Sequence, residues 1–323
     1  GAAGSGRMDS RGSRVPQLTL RLRERTLTAR ADIPYAALDS AARGTMDVRL
    51  SSAIRRSDLA ALLTGYVTPD DLAVLPDDGM TLGVRVTGNM AHLAIEEGTL
   101  AVPRCLTLTV GGSGTDLMDD ARRTLDLRLE ANVADGTRLT RLAGMEGTVS
   151  VPSASRLKGR LTARATAYAA DLMLSAAGGS MTTRLKADTQ TEQYAATATA
   201  RALPLGRLLP GSGLSPFSGS VKVAGRGFDP TALASRLMAE ADIERLAVGQ
   251  AVLDGIQIKA ESAGGKARAD FSADNAFAKG RGSLTASWGR LSEATLTADI
   301  DEVRLSDLMA TKDTLGIGMT ATM

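Results

Sequence analysis

A strict alternation of apolar and polar residues runs through most of the chain and constrains its fold more than any other feature. In the segment 217–300 it recurs in run after run, as where Ile256 and Ile258 alternate with Gln257 and Lys259. A period of two is that of a β-strand with one apolar and one polar face. Glycine, asparagine and aspartate residues separate the runs, as turn residues do. The chain is therefore predicted to be all-β.

The same alternation predicts strands before residue 217. The run Leu125, Leu127 and Leu129 is one such strand, and residues 161–167 are predicted to form another. The stretch Gly111–Gly114 does not have the Lys-Ser/Thr that follows the glycines of a phosphate-binding loop, and it is interpreted as a hairpin turn.

Short helical turns are predicted where the alternation stops. Residues 57–59 and 68–72 carry N-cap and first-turn signals for short helices. Leucine pairs of i, i+3 spacing also recur, and each predicts a helical turn that closes the apolar side between groups of strands. The pairs are Leu72/Leu75, Leu139/Leu142, Leu205/Leu208 and Leu305/Leu308.

The types of apolar residue in the chain reduce the number of architectures that it can form. Aromatic residues make up only 3% of the chain, although 43% of it is hydrophobic. An outer-membrane barrel needs two aromatic girdles, which so few aromatic residues cannot supply. Alanine runs such as 196–200 are too small to fill a sandwich core about 10 Å thick. We therefore expect an elongated, curled antiparallel sheet, or β-taco, with an apolar groove inside and charged residues outside.

The composition argues against catalysis and against a metal. The chain has one cysteine, Cys105, and one histidine, His92, so a His/Cys metal site and a Cys–His pair for catalysis are not expected. Cys105 is interpreted as a plain strand position. Acidic pairs such as Glu96-Glu97 are interpreted as residues on opposite faces of a strand. The net charge of +2 gives no reason to expect nucleic acid as a partner. We predict a protein that is not an enzyme and has no cofactor.

The two ends of the sequence indicate a fragment of a longer protein. Residues 1–15 are rich in glycine, serine and arginine and are predicted to be a disordered cut end. Two β-repeat regions, 16–200 and 201–323, are predicted to follow, the second continuing beyond the fragment. No apolar stretch is long enough for a transmembrane helix, so a membrane anchor is expected outside the fragment.

Several segments resemble one family. They are 205–210, 218–230, 239–246, 253–260, 272–275 and 298–305, with a weaker likeness at 67–72 and 87–93. In residue types and spacing they resemble the Bacteroidota-type TamB proteins (translocation and assembly module), which belong to the AsmA-like family. The resemblance is closest over about residues 200 to 310 and consists of strand-and-turn patterns.

The resemblance implies a fold and a function. It implies a periplasmic protein that is tethered to the inner membrane and carries phospholipid along an apolar β-groove between the inner and outer membranes. It also implies support of outer-membrane protein assembly through a barrel partner of the TamA/BamA type. The alternative is a structural or adhesive secreted β-solenoid with a filled interior, which would show regular repeats of about 20 to 30 residues.

Candidate residues for contact with phospholipid acyl chains follow from strand parity alone. Each is an aliphatic residue on the apolar side of a predicted strand. The candidates are Val84, Val86, Leu127, Leu129, Val221, Val223, Ile256, Ile258, Leu284, Leu296 and Ile300.

Overall fold

The structure is a computed structural model of the 323-residue chain. It describes residues 2–22, 25–38, 43–56, 79–117, 119–142, 145, 149–211, 214–229, 232–248, 251–275, 278–287 and 293–303. The helices predicted at 57–59 and 68–72, and the leucine pairs Leu72/Leu75 and Leu305/Leu308, lie outside these residues.

Nineteen strands form a single antiparallel sheet in which strands adjacent in sequence are neighbours. The short strand β15 and the strand β16 both pair with β14, at its two ends, so the nineteen strands occupy eighteen positions. Among the described residues β1 and β19 do not pair with each other, and the sheet is open. The strands are β1 (Ala2–Asp9), β2 (Gly12–Leu22), β3 (Arg25–Pro34), β4 (Met46–Ile54), β5 (Met80–Gly88), β6 (His92–Val102), β7 (Leu106–Thr115), β8 (Thr124–Val133), β9 (Ser155–Arg164), β10 (Ala167–Ala176), β11 (Gly179–Asp188), β12 (Gln193–Leu203), β13 (Leu214–Arg226), β14 (Arg236–Val248), β15 (Ala251–Leu253), β16 (Ile256–Ala263), β17 (Lys266–Asp274), β18 (Ala278–Ser287) and β19 (Glu293–Val303).

Within the described ranges, three short helices occur in the connections. They are α1 (Tyr35–Leu38), α2 (Gly136–Leu142) and α3 (Leu205–Leu208). The helices α2 and α3 contain two of the predicted leucine pairs. These findings confirm the predicted fold class, an elongated all-β antiparallel sheet with a few short helical turns.

The two faces of the sheet differ in accessibility even where the residue type is the same. On β12, Ala195 on the polar side is exposed, whereas its neighbour Ala196 on the apolar side is half-buried. On β11, Thr182 is exposed and Thr183 is half-buried. The comparison holds the side chain constant, so the apolar side is the more enclosed one. We call it the inner face and the polar side the outer face.

Irregular pairings keep charged residues off the inner face. Pairing between β6 and β7 shifts between Ile95 and Gly98, and the two residues between them, Glu96 and Glu97, are both exposed. The prediction that the two glutamates lie on opposite faces is therefore wrong, because a β-bulge adds one residue to the strand. A second shift, in β14, brings Glu244 and Arg245 to exposed positions in the same way.

Among the described residues, a compact cluster of buried side chains forms where α2 covers the inner face. Met80 at the start of β5, Val102 at the end of β6 and Cys105 in the turn that follows form this core. Leu139 and Leu142 of α2 pack against it. The side chain of Asp135 begins the helix by accepting a hydrogen bond from the backbone N–H of Arg138, at 3.0 Å. The predicted role of this leucine pair as a cover over the apolar side holds for α2.

Several local predictions are wrong. Residues 2–9 and 12–22 form β1 and β2, so the N-terminal residues are not a disordered end. The sheet runs without a break through residue 200, which lies inside β12, and the division into regions 16–200 and 201–323 stays a prediction. Residues 161–167 are not one strand, because β9 ends at Arg164 and β10 begins at Ala167. This turn puts Tyr168 on the inner face, directly opposite Ala163.

The glycine-rich stretch Gly111–Gly114 lies inside β7 and is not a hairpin turn. Gly112 has a φ of 150°, and a Cβ atom there would collide with the carbonyl oxygen of Asp126 on the next strand. Glycine is therefore required by the close approach of the two backbones. Cys105, predicted in a strand, lies in the turn between β6 and β7.

Candidate functional site: the apolar inner face

One cross-strand row of residues runs along the middle of the inner face through every strand position. Its members contain no charged side chain, and Thr183 is the only one with a polar side chain. At a strand spacing of about 4.8 Å the row follows the sheet for about 80 Å. In order it consists of Gly4, Leu18, Ala29, Leu50, Val84, Gly98, Val110, Leu129, Gly159, Leu172, Thr183, Ala198, Val221, Ala241, Ile258, Phe271, Gly282 and Ala298. We call it the middle row.

The register brings all eleven predicted residues to the inner face, in the middle row and the two rows beside it. Val84, Leu129, Val221 and Ile258 belong to the middle row. Val86, Leu127, Val223, Leu284 and Leu296 lie in the row on one side of it. Ile256 and Ile300 lie in the row on the other side. For Leu296 and Ile300 the placement is given by the register of the backbone pairing alone.

Bulky residues of the middle row lie across glycines of the neighbouring strand. A Cβ atom on Gly282 would collide with the ring of Phe271, and one on Gly159 would collide with a methyl group of Leu172. These side chains therefore lie flat on the sheet instead of standing up from it. The result is a low, even apolar surface. Parity alone did not single out these glycines, because their role depends on which residue lies opposite them.

The inner face is open over most of its length. Burial is described for every middle-row member except Ala298: the sixteen from Leu18 to Gly282 are half-buried, none of them to the core level, and Gly4 in the edge strand β1 is exposed. Leu185 in the adjacent row is 39% exposed. The hydroxyl of Thr183 is enclosed yet has no hydrogen-bond partner within the described part of the chain. Such a surface can take up an apolar ligand, because burying it further removes apolar area from water.

The outer face carries the charges and pairs them across strands. Asp47 lies 3.0 Å from Arg85, and hydrogen bonds from that guanidinium hold the pKa of the carboxyl below its ordinary value. Hydrogen bonds from Arg160 lower the pKa of Asp126 in the same way. Exposed pairs of this kind add little stability each, but they keep the outer face hydrated.

No reactive group stands on the inner face among the residues described. Cys105 is 1% exposed and belongs to the core under α2. Burial raises the pKa of its thiol, which disfavours the thiolate that a nucleophile needs. His92 is exposed at the start of β6, opposite Thr115. Within the described ranges no group of three or more His, Cys, Asp or Glu residues is placed to hold a metal ion.

The described helices are all too short or too polar to cross a bilayer. Comparison of the chain with protein-family models, with curated proteins and with solved structures finds no match in any of the three. The function is therefore argued from the inner face.

Proposed function

We propose that this chain is a segment of a lipid-carrying protein whose inner face holds the acyl chains of phospholipids in transit between two membranes. The observation that carries the proposal is the middle row, which crosses every strand position without a charged side chain. An acyl chain lying along it would meet aliphatic side chains, glycines and the ring of Phe271, with Thr183 as the one polar side chain.

The chemistry of the two faces supports this assignment. Burial of an acyl chain stabilises the complex by about 0.8 kcal/mol per CH₂ group that is removed from water. A charged headgroup cannot follow onto the inner face without a partner, since an unpaired charge there would cost several kcal/mol. The headgroup would therefore stay in water while the chain moves along an even surface. No residue needs to bind tightly, and that suits transport better than storage.

The antiparallel pairing counts against the β-solenoid alternative. β-Helical solenoids stack successive coils with parallel strands, whereas every strand pair described here is antiparallel. A filled interior would also bury the residues of the middle row, whereas those from Leu18 to Gly282 are half-buried.

The wider setting is proposed on the family resemblance. It comprises a periplasmic location, an inner-membrane tether outside this segment, outer-membrane protein assembly and a barrel partner of the TamA/BamA type. Crosslinking of the full-length protein to outer-membrane barrels in cells would test the partner.

Lipid extraction followed by native mass spectrometry tests the lipid proposal on the purified chain. Ile258→Arg puts a charge in the middle row, and we expect the amount of co-purified phospholipid to fall severalfold. Gln257→Arg is the matched control, because it adds the same charge one residue away on the exposed outer side of β16. If both folded variants retain as much lipid as the wild-type chain, the inner face does not carry it.

A further inference from the structure

A groove of about 970 Å³ crosses the outer face from β7 to β14. It is lined by two rows of outward side chains and by the residues between them in the strands, such as Ala163 and Gly225. The row nearer the turns includes Arg164, Arg226 and Arg236, and the row beside it consists of Asp126, Thr162, Ala169, Lys186, Ala195, Ala224 and Met238. We call this feature the outer groove.

Four cations line the outer groove. Arg226 and Arg236 are directly opposite each other on β13 and β14, an arrangement in which like charges repel. Neither these two nor Arg164 and Lys186 form an ion pair within the described part of the chain. The repulsion between Arg226 and Arg236 would be relieved by a carboxylate bound between them.

The two acidic residues that line the outer groove are already engaged. Asp126 is bound by Arg160. Asp188 accepts hydrogen bonds from the backbone N–H groups of Gln190 and Thr191, at 2.9 and 3.0 Å, which lower the pKa of its carboxyl. The groove therefore presents positive charge to a ligand.

The second row is apolar from β12 to β14, contrary to the rest of the outer face, and we call this part the floor of the outer groove. Ala195 and Ala224 are opposite each other on adjacent strands, and Met238 follows on the next strand with 67% of its surface exposed. Elsewhere the positions of outward parity carry mainly charged, threonine or serine residues. An exposed apolar strip beside unpaired arginines is typical of a binding surface.

We propose that the outer groove binds an extended acidic peptide segment of another protein, with carboxylates toward the arginines and apolar side chains toward the alanine floor. The groove crosses eight strands, about 34 Å, which is the length of about ten extended residues. Arg164 and Arg236 lie five strand spacings apart, about 24 Å, too far for one phosphate group. An extended peptide also alternates its side chains between two edges, as the two rows of the groove require. This binding is independent of lipid carriage, because it uses the opposite face.

Fluorescence anisotropy with a labelled ten-residue peptide of alternating glutamate and leucine tests the proposal on the full chain. We expect saturable binding that weakens as salt rises from about 50 to 500 mM. The double variant Arg226→Glu/Arg236→Glu should weaken it at least about tenfold, because both charge-assisted hydrogen bonds are lost. Ala195→Trp fills the floor without a change of charge and should weaken it severalfold, with the lipid content of the inner face unchanged.

The matched control is Arg201→Glu/Arg207→Glu, two exposed arginines near the opposite ends of the strands, for which we expect binding within about twofold of wild type. Equal binding of a lysine–leucine peptide would overturn the proposal, as would unchanged affinity in Ala195→Trp. Binding to phosphatidylglycerol vesicles without binding to the acidic peptide would assign the groove to a membrane surface and would also overturn it.

Discussion

The inner and outer faces belong to the same strands but differ in the charge of their side chains. The outer face pairs charges across strands, as between Lys158 and Glu130 at 3.3 Å, whereas the middle row of the inner face has none to pair. The inner face is the more enclosed of the two, yet among the described residues only α2 packs against it as a second layer. In this part of the chain the apolar parity does not build a core along most of the sheet. We propose that it leaves a surface for an apolar ligand.

Removing both glutamates of the bulge in β6 would break the separation of the faces and should have the largest effect. Deletion of Glu96 and Glu97 together makes Ile95 and Gly98 neighbours, so every residue on one side of the deletion must change face. We expect a loss of at least about 3 kcal/mol in the free energy of unfolding by urea. Glu97→Ala keeps the residue count and should cost little. Equal stability of the two variants would mean that parity is not what the bulge maintains.

The covered and open parts of the inner face should respond differently to the same truncation. Leu139→Ala removes contacts with the core under α2 and should destabilise the chain by about 2 kcal/mol. Leu185→Ala, on the open part, should cost less than about 1 kcal/mol, because that side chain is already 39% exposed. Chemical denaturation measures both. A cost for Leu185→Ala as large as that for Leu139→Ala would indicate a filled interior.

The unpartnered hydroxyl of Thr183 offers a smaller test of the inner face. Thr183→Val replaces it with a methyl group of similar shape and should stabilise the chain by about 1 kcal/mol, since no hydrogen bond is lost. Thr182→Val changes the exposed neighbour and should be nearly neutral. Thermal melts of the two variants measure the contrast, and a destabilised Thr183→Val would contradict an apolar inner face.

The smallest effect should come from the outer face and depend on pH. Arg160 lowers the pKa of Asp126 below its ordinary value of 3.8, so the ion pair contributes stability above that value. The contribution is lost as pH falls through the lowered pKa. We expect Asp126→Asn to lower Tm slightly at pH 7, with a difference that shrinks as pH falls below about 4 and vanishes below the lowered pKa of Asp126. High salt should also reduce the difference. A difference that grows toward low pH would reverse the sign and contradict the pairing.

Strand parity could be predicted from the sequence because it is a local property. The alternation placed Val221 and Ile258, far apart in the chain, on one face, and their register in the sheet puts both in the middle row. Parity of this kind needs no knowledge of which strands are neighbours. Local spacing likewise predicted α2 and α3, from the leucine pairs Leu139/Leu142 and Leu205/Leu208.

The errors arose where pairing between strands decides the outcome. The bulge at Glu96-Glu97 and the close approach at Gly112 depend on what lies opposite. A signal for the bulges was present, because two consecutive charged residues separate inward residues three apart, as at Ile95 and Gly98 and again in β14. The outer groove could not be foreseen, since Arg226 and Arg236 meet only through the pairing of β13 with β14.

Photo-crosslinking from adjacent residues tests most directly whether the inner face carries lipid. Benzoylphenylalanine would replace Val221 of the middle row in one variant and its outward neighbour Lys222 in a second. After irradiation in cells of a Gram-negative host, mass spectrometry would identify any phospholipid adduct. Our account predicts adducts at position 221 and at most traces at 222. Equal yields at the two positions, or none at 221 in a folded chain, would contradict it.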